Sequence, residues 1–572
     1  MQLFDIFERT AASQPNKPAF IYFSEQTKKW DVFTYQQFVD STHRFFLGLQ
    51  ACSLTPNMTA AVMTPPSIEF FPFAFALLKF GIIPIILDPA VGLKKVGEIL
   101  KESKPDIFIG NTTTHFLRTI FGWGRNSIKY NLSLQSVKRQ TSKVAQLPIT
   151  NYKSLSTSYS PLSTSPAAII YTSGSTGLPK AAIYTQENLA AQLELLKNTF
   201  QISPDEIDLP AFPLYTLIDV LLGVTSVIPD VTFPVPAKTD AKKVIQAIQK
   251  FNVTNMFASP VVLEILSSFA LSGAAAVWRR SRRAGQRFDY GAKNAPPLNV
   301  NLPSLKRIIT AGAPATIPLQ QKFRNLIEDH TDLFGIYGAT ETLPIAKVES
   351  REIVSLKEKT EHGAGICLGK PIDGITVRII KISELAISEW KDDLEVEKNV
   401  IGEITVQSAA TTREYLNRSE SNRISKIEYR GSIIHRMGDV GYFDEEGLLW
   451  YCGRKSHRVV TNDGVMFTEQ IENIFNAHPQ VNRTALVGVN GEPVLWIEMK
   501  KDARENRDTI KRELLEIAKP HPQTAKIKVF LFMKKFPTDV RHNSKIIREQ
   551  LAKQAAQALR PSTFDLRHFF LP

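Results

Sequence analysis

Cysteine is scarce: Cys52, Cys367 and Cys452 are the only three in 572 residues, and they lie far apart. That spacing excludes a disulfide framework and a paired-cysteine zinc site, and it fits a reducing, cytoplasmic compartment. Long uninterrupted apolar runs are also missing. The nearest approach, FFPFAFALLKFGIIPIIL at residues 70–87, is broken by Pro72, Lys79, Gly81 and Pro84, whereas a membrane span needs about 20 apolar residues in a row. No transmembrane segment is expected. The run parses instead as a buried helix closed by Gly81 in a left-handed cap, then a buried strand at 82–87. The N-terminal MQLFDIFERTAASQ carries Asp5 and Glu8 where a signal peptide needs an apolar stretch. It reads as a surface helix with Leu3, Ile6, Phe7 and Thr10 at helical spacing. Internal repeats and coiled-coil heptads are absent.

What is present is an ordinary globular composition, 43% hydrophobic and 22% charged, on a chain too long for one domain. The net charge of +13 would attract anions, whether nucleotide, phosphorylated carrier, lipid headgroup or nucleic acid, without choosing among them. No nucleic-acid motif stands behind the charge, so nucleic acid is not expected as a partner. The cations are dispersed apart from one knot, WRRSRRAGQR at residues 278–287. That knot reads as a solvated loop, with contact to acidic lipid or a partner protein as the alternative.

Through the first 400 residues, helical and strand-like runs alternate. Strands are expected at 60–63, 82–87, 106–109 and 167–171, and a helix at 187–200. Such alternation predicts βαβ units and a parallel sheet with ligands beyond the carboxyl ends of its strands. Residues 138–166 read as a solvated connection. Strands at 375–382 and 402–406 open a more β-rich stretch. After Arg454 come strands at 485–489, 494–499 and 528–532, with helices at 510–517 and 545–556. The expected class is α/β. A large domain, 1–453, would combine parallel α/β subdomains with a β-rich subdomain, and 454–572 would form a small mobile α+β lid.

The clearest chemical signal is YTSGSTGLPK at residues 171–180. A buried strand runs into a loop with Gly174 and Gly177, surrounded by Thr172, Ser173, Ser175 and Thr176, and closed by Lys180. Glycines let backbone N–H groups approach an anion, hydroxyls add donors, and lysine adds charge, which together make a phosphate cradle. Leu178 and Pro179 separate Gly177 from Lys180, so the loop is not that of P-loop NTPases. A generic Ser/Thr/Gly loop would be read as a flexible turn with a solvated lysine.

The full string resembles the phosphate-loop signature of the adenylate-forming superfamily of acyl-CoA synthetases, peptide-synthetase adenylation domains and luciferases. Further motifs follow in the family's order: ITAGAP at 309–314, YGATE at 337–341, GEITVQSAATTREYLN at 402–417, Gly438-Asp439, Gly453-Arg454 and Lys545. The resemblance implies an ATP- and Mg2+-dependent ligase that forms an acyl-adenylate. It implies that Tyr337, with Gly338 and Ala339, meets adenine and that Thr340 meets phosphate. Glu341, with Thr172, would hold Mg2+, and Asp439 would hold the ribose hydroxyls. Arg454 would orient ribose or phosphates, and Lys545 would stabilise charge on the α-phosphate. Gly312 and Ala313 border nucleotide and acyl pocket, and Phe212 and Tyr215 would line the acyl pocket, although a plain core role suits such aromatics too. Read alone, Glu341 is an exposed carboxylate at a helix start, Asp439 a turn residue, and Lys545 a solvated helix lysine.

Three departures from the pattern stand out: Ser456 at the hinge position, Ser544 before Lys545, and no proline before the acidic residues of FTEQIE at 467–472. Residues 208–230, 435–461 and 539–549 resemble a narrower group, the β-lactone synthetases of bacterial long-chain olefin biosynthesis. That resemblance implies a long-chain 2-alkyl-3-hydroxy fatty acid as substrate, with lactone closure after adenylation, and other olefin-pathway enzymes as partners. A long-chain acyl-CoA or acyl-carrier-protein ligase, and an inactive scaffold that kept the fold, are the alternatives. Coenzyme A and peripheral membrane contact are left open.

Overall fold

The computed structural model describes residues 2–24, 27–87, 92–144, 162–172, 179–228, 236–270, 302–501, 503–504, 506–538 and 545–559. The expected cradle residues Ser173, Gly174, Ser175, Thr176 and Gly177, the basic knot at 278–287 and Ser544 lie outside the described residues.

The apolar run at 70–87 folds as its punctuation demands. Phe70–Phe80 is helical, Gly81 closes it at φ 79°, and Ile83–Ile86 is a strand. That strand lies inside a six-stranded sheet ordered Tyr130–Leu132, Ile107–Gly110, Thr59–Met63, Ile83–Ile86, Pro166–Tyr171, Ala181–Thr185. Its first five strands are parallel, and Ala181–Thr185 returns antiparallel to Pro166–Tyr171.

Among the described residues the second sheet has fourteen strands. Its parallel part includes Ile207–Pro210, Asn255–Ala258, Arg307–Thr310 and Asp332–Ala339. At Ala339 the chain turns back, and Thr342–Glu349 pairs antiparallel with Asp332–Ala339. From there the sheet continues antiparallel through Ile366–Pro371, Leu449–Arg454, Ser432–Phe443, Gly402–Gln407 and Thr376–Ile380. The expected β-rich stretch is therefore a hydrogen-bonded extension of the parallel sheet.

A smaller unit follows with its own three-stranded sheet, Val481–Val489, Glu492–Met499 and Val529–Met533. Helices Thr468–Asn476, Arg507–Ala518 and Arg548–Ala558 cover it. Ile471, Phe475, Leu486, Leu495, Ile510 and Leu514 form its core. Arg548 holds the buried Glu472 with both guanidinium nitrogens, tying the last helix to the first.

Three expectations need correction. Residues 138–144 are not part of a solvated connection, because the helix Leu134–Val144 runs through them. Leu134 and Val137 are buried, and the Thr141 hydroxyl donates to Arg44 O at 2.8 Å. The last helix begins at Arg548 and not at Lys545: Ile546 bridges Thr538, and Ile547 N–H donates to Pro537 O at 2.9 Å, which holds the preceding backbone extended. Finally, the N-terminal helix Leu3–Ser13 is less superficial than its spacing suggests, since Leu3, Phe4, Phe7 and Ala11 are all buried.

Phe7 is fully buried, 4.5 Å from the Phe75 ring centroid and 4.9 Å edge-on to Phe38. Truncating a core phenylalanine removes its contacts and leaves a cavity. Phe7→Ala is expected to destabilise the large unit by about 3–5 kcal/mol, measured by chemical denaturation followed through tryptophan fluorescence. A loss well under about 1 kcal/mol would mean that the helix is not integral to this core.

Candidate active site

The strands Pro166–Tyr171 and Ala181–Thr185 are joined by the loop that bears the phosphate-cradle sequence. Its two ends are pinched together: Thr172 N–H donates to Lys180 O at 2.8 Å, and Lys180 N–H donates to Thr172 Oγ1 at 3.2 Å. The outer edge of Ala181–Thr185 is not bare. Leu416 N–H donates to Ala181 O at 2.8 Å, Ile183 N–H donates to Glu414 O at 3.1 Å, and Tyr415 bridges Ala182. This pairing brings Tyr415 beside Lys180. Lys180 Nζ stands 5.1 Å from the Tyr415 ring centroid, a cation–π distance.

YGATE forms the tight hairpin between Asp332–Ala339 and Thr342–Glu349, with Ala339 opposite Thr342 and Thr340–Glu341 as the turn. Glu341 is buried and belongs to a β-hairpin, so the reading of an exposed helix-start carboxylate is corrected. The Tyr415 hydroxyl donates to Glu341 Oε1 at 2.5 Å, and the Tyr184 hydroxyl donates to Thr340 O. Beyond Tyr415 lies Lys426, whose Nζ donates to Thr412 O at 2.6 Å and sits 5.2 Å from the same ring. Burial pushes the Lys426 ammonium down to about 7 against the pull of Glu341. His435 behind it is driven well below its ordinary value by burial and then by Lys426.

Asp439 sits within the strand Ser432–Phe443, opposite Arg454, so it is a buried strand residue and not a turn residue. Arg454 Nη1 donates to Asp439 Oδ1 and to Met437 O, both at 3.0 Å. The Tyr337 hydroxyl donates to Asp439 Oδ2 at 2.7 Å. Burial raises the Asp439 carboxyl and Arg454 pulls it back. Tyr337, 102 positions before Asp439, thus joins Asp439 and Arg454 in one hydrogen-bonded set. Gly312 and Ala313 lie in the loop after Arg307–Thr310.

The junction with the smaller unit follows Arg454. At Gly453 φ is +129°, and a Cβ there would lie 2.3 Å from Thr468 Oγ1, so only glycine lets Thr468–Asn476 pack against this strand. Ser456 is exposed in the turn Lys455–His457. Its neighbours are anchored: Lys455 Nζ donates to Ser383 O at 2.9 Å and pairs with Glu403 at 3.2 Å, and Arg458 pairs with Glu384 at 2.7 Å. Lys545 lies half-buried in the smaller unit, three residues before Arg548.

Tyr215 is buried, stacked on Phe257 at 4.2 Å, and clusters with Leu196, Phe200 and Ile309. Phe212 caps the short turn Pro213–Tyr215 and is half-buried. Beneath Tyr215 is a buried acidic pair, Asp208 and Asp219, hydrogen-bonded to each other, with Ser226 Oγ donating to Asp219 Oδ2 at 2.5 Å. Among the described residues, the Tyr215 hydroxyl and Asp208 Oδ2 have no hydrogen-bond partner. Burial lifts Asp208 to about 7, and burial and then Asp208 lift Asp219 well above the carboxylate range.

The structure therefore gathers Lys180, Thr340 and Glu341 in one cluster and Tyr337, Asp439 and Arg454 in another, joined through the YGATE hairpin. Sequence reasoning passed over Tyr415 and Lys426. Their only sequence signal is a hydroxylated aromatic and a lysine at unremarkable spacing, and their placement beside Glu341 follows from the pairing of Tyr415 with Ala182. Among the described residues no three His, Cys, Asp or Glu gather as a metal site. Glu341, buried and hydrogen-bonded by Tyr415, is a carboxylate that could hold a Mg2+ ion.

The sequence profile of AMP-binding enzymes matches residues 7–416, well over half of the chain. The chain belongs to the AMP-binding enzyme family. This AMP-binding enzyme is 38% identical to the olefin β-lactone synthetase of Xanthomonas campestris pv. campestris over 89% of this chain and 88% of that one. It is 34% identical to the olefin β-lactone synthetase of Stenotrophomonas maltophilia over 92% and 91% of the two chains. It is an adenylate-forming enzyme of the AMP-forming ligase type, closely related to olefin β-lactone synthetases. Among solved structures, ATP-bound MatB from Rhodopseudomonas palustris superposes with a TM-score of 0.74 at 17% identity, covering 98% of this chain and 100% of that one. The o-succinylbenzoate coenzyme A synthetase of Bacillus subtilis, in complex with ATP and magnesium, gives 0.69 at 19% identity over 96% and 98%. These two likenesses show the fold.

The Asp208–Asp219 pair makes a pH-dependent contribution. Its raised carboxyls favour the folded state fully below the unfolded value of about 4, and that contribution is lost as pH rises through about 7. Asp219→Asn keeps a donor to Asp208 and removes one buried negative charge. Its Tm should fall less than that of the unmodified enzyme between pH 5 and pH 8, as followed by circular dichroism. Parallel Tm curves would show that the pair does not titrate in this window.

Proposed function

We propose that this enzyme activates a long-chain 2-alkyl-3-hydroxy fatty acid with ATP and closes it to a β-lactone. The observation that carries the reading is 38% identity to an olefin β-lactone synthetase over nearly the whole chain, joined to the clusters at Glu341 and Asp439. In the first step a carboxylate oxygen of the acid attacks the α-phosphorus of ATP, the bond to the β-phosphate oxygen breaks, and pyrophosphate leaves. In the second, the substrate's 3-hydroxyl oxygen attacks the acyl carbon, the bond to the AMP oxygen breaks, and the hydroxyl proton passes to solvent. The attack is intramolecular, and its high effective molarity offsets ring strain while AMP departs.

Each residue has a physical part in this scheme. The pinched loop at Thr172–Lys180 receives the phosphates, with Lys180 supplying charge. Glu341 anchors Mg2+, which would neutralise the triphosphate, and Tyr415 holds that carboxylate in place. Tyr337 lies against the base, and Asp439 accepts from the ribose hydroxyls with Arg454 fixing its orientation. Lys545 reaches the α-phosphate from the smaller unit, which acts as a lid beginning after Gly453. The Tyr215 cluster receives the alkyl chain, with Phe212 and Gly312 at its border. A lactone former needs no thiol tunnel, so Ser456 at the hinge position is tolerable under this reading. The reading also places the enzyme in the cytoplasm.

Purified enzyme given ATP, Mg2+ and a 2-alkyl-3-hydroxy acid should release AMP, pyrophosphate and a lactone without coenzyme A, as seen by mass spectrometry. A thioester formed only with coenzyme A, and no lactone, would overturn the reading in favour of an acyl-CoA ligase. Tyr415→Phe should lower ATP–pyrophosphate exchange by roughly tenfold to a hundredfold and raise the Mg2+ needed for half-maximal exchange. An unchanged Mg2+ dependence would detach Tyr415 from the metal.

A further inference from the structure

Lys426 opens the short strand Lys426–Tyr429, which pairs with Ser432–Phe443 and sets Lys426 opposite His435. Only 7% of it is exposed. Burying an amine costs desolvation, and an apolar side chain of like volume would fill the place without that cost. The contacts of Lys426 show what the amine does there.

Two routes lead from it to one residue. By the first, Lys426 Nζ donates to Thr412 O at 2.6 Å, and the N–H of the same Thr412 donates to Glu341 O at 2.9 Å. Thr412 is fully buried, in a segment between the strand Gly402–Gln407 and Tyr415 that belongs to no helix or strand. By the second, Nζ sits 5.2 Å from the Tyr415 ring centroid, and the Tyr415 hydroxyl donates to Glu341 Oε1 at 2.5 Å. One amine thus braces the backbone and the carboxylate of the same turn residue. Other side chains hold this segment elsewhere: Asn188 Nδ2 donates to Ala409 O at 2.8 Å and to Thr411 O at 3.1 Å, and Thr342 Oγ1 donates to Thr411 Oγ1 at 3.0 Å. A ligating carboxylate needs such support, because one that swings freely loses the orientation its ion requires. The bond to Thr412 O does not depend on the charge of Lys426, since a neutral amine still carries an N–H to donate.

We propose that Lys426 is a positioning residue for the magnesium–nucleotide complex, holding Glu341 in place through Thr412 and Tyr415. The inference rests on Glu341 as the magnesium ligand and not on lactone closure.

Binding of Mn2+ to the full chain in the presence of ATP tests it, read by water proton relaxation, with ATP–pyrophosphate exchange kinetics alongside. Lys426→Met keeps the apolar stem and removes the donor. It should weaken the manganese–ATP complex by about tenfold or more. The KM for magnesium–ATP should rise by a similar factor, with a smaller change in kcat. Lys426→Gln retains an amide donor on a shorter side chain, so its binding should fall between that of the methionine variant and the unmodified enzyme. It also carries the test if the methionine variant folds poorly. A lowered Tm with unchanged manganese–ATP binding in these variants would overturn the proposal, because Lys426 would then support only the fold. Glu341→Gln separates the two readings. If it leaves manganese–ATP binding intact, the magnesium assignment itself fails and the proposal with it. If it weakens binding and Lys426→Met does not, the Lys426 inference alone is overturned.

Discussion

The site depends on one reversal of chain direction. At Thr340–Glu341 the last parallel strand turns back, and from that point the large sheet is antiparallel. A tight hairpin places both turn residues at a strand end, where parallel α/β sheets bind ligands. It also fixes Tyr337, two pairs back, against the strand system that carries Asp439 and Arg454. If the hairpin shifted by one residue, every side chain on it would change face. Glu341 would then lose Tyr415, and Tyr337 would lose Asp439.

Around this turn the molecule accepts charged burial that a hydrophobic core would avoid. Glu341, Lys426, His435, Asp439 and Arg436 are all buried, the last paired with Glu403 at 2.6 Å. Buried ion pairs rarely repay their desolvation with stability. Their concentration beside one hairpin is what a site for polyanions requires, because fixed charges in a dry setting need no reorganisation when a phosphate arrives. The junction beyond Arg454 is also held by ion pairs, Lys455 with the buried Glu403 and Arg458 with the exposed Glu384, on either side of Ser456.

Much of this was legible beforehand. Punctuation by Gly81 and the apolar content at 70–87 determined a helix and a strand, because only one arrangement buries them and satisfies their backbone. The motif series carried family membership, because a Ser/Thr/Gly loop alone reads as a turn, whereas YTSGSTGLPK followed in order by ITAGAP, YGATE and Gly438-Asp439 is specific. The errors lie where local pattern competes with long-range pairing. Lys545 sits in a helix-forming stretch, yet Thr538 and Pro537 hold the backbone before Arg548 extended.

The sequence by itself determined the α/β class, the family and the order of the candidate site residues, because each rests on periodicity or on local motifs. Only the tertiary structure decided that Tyr415 would hold Glu341 and that Tyr337 and Arg454 would share Asp439. Those outcomes depend on which strand edges meet across hundreds of residues. Hydrogen bonding between distant edges leaves no period in the sequence from which it could be read.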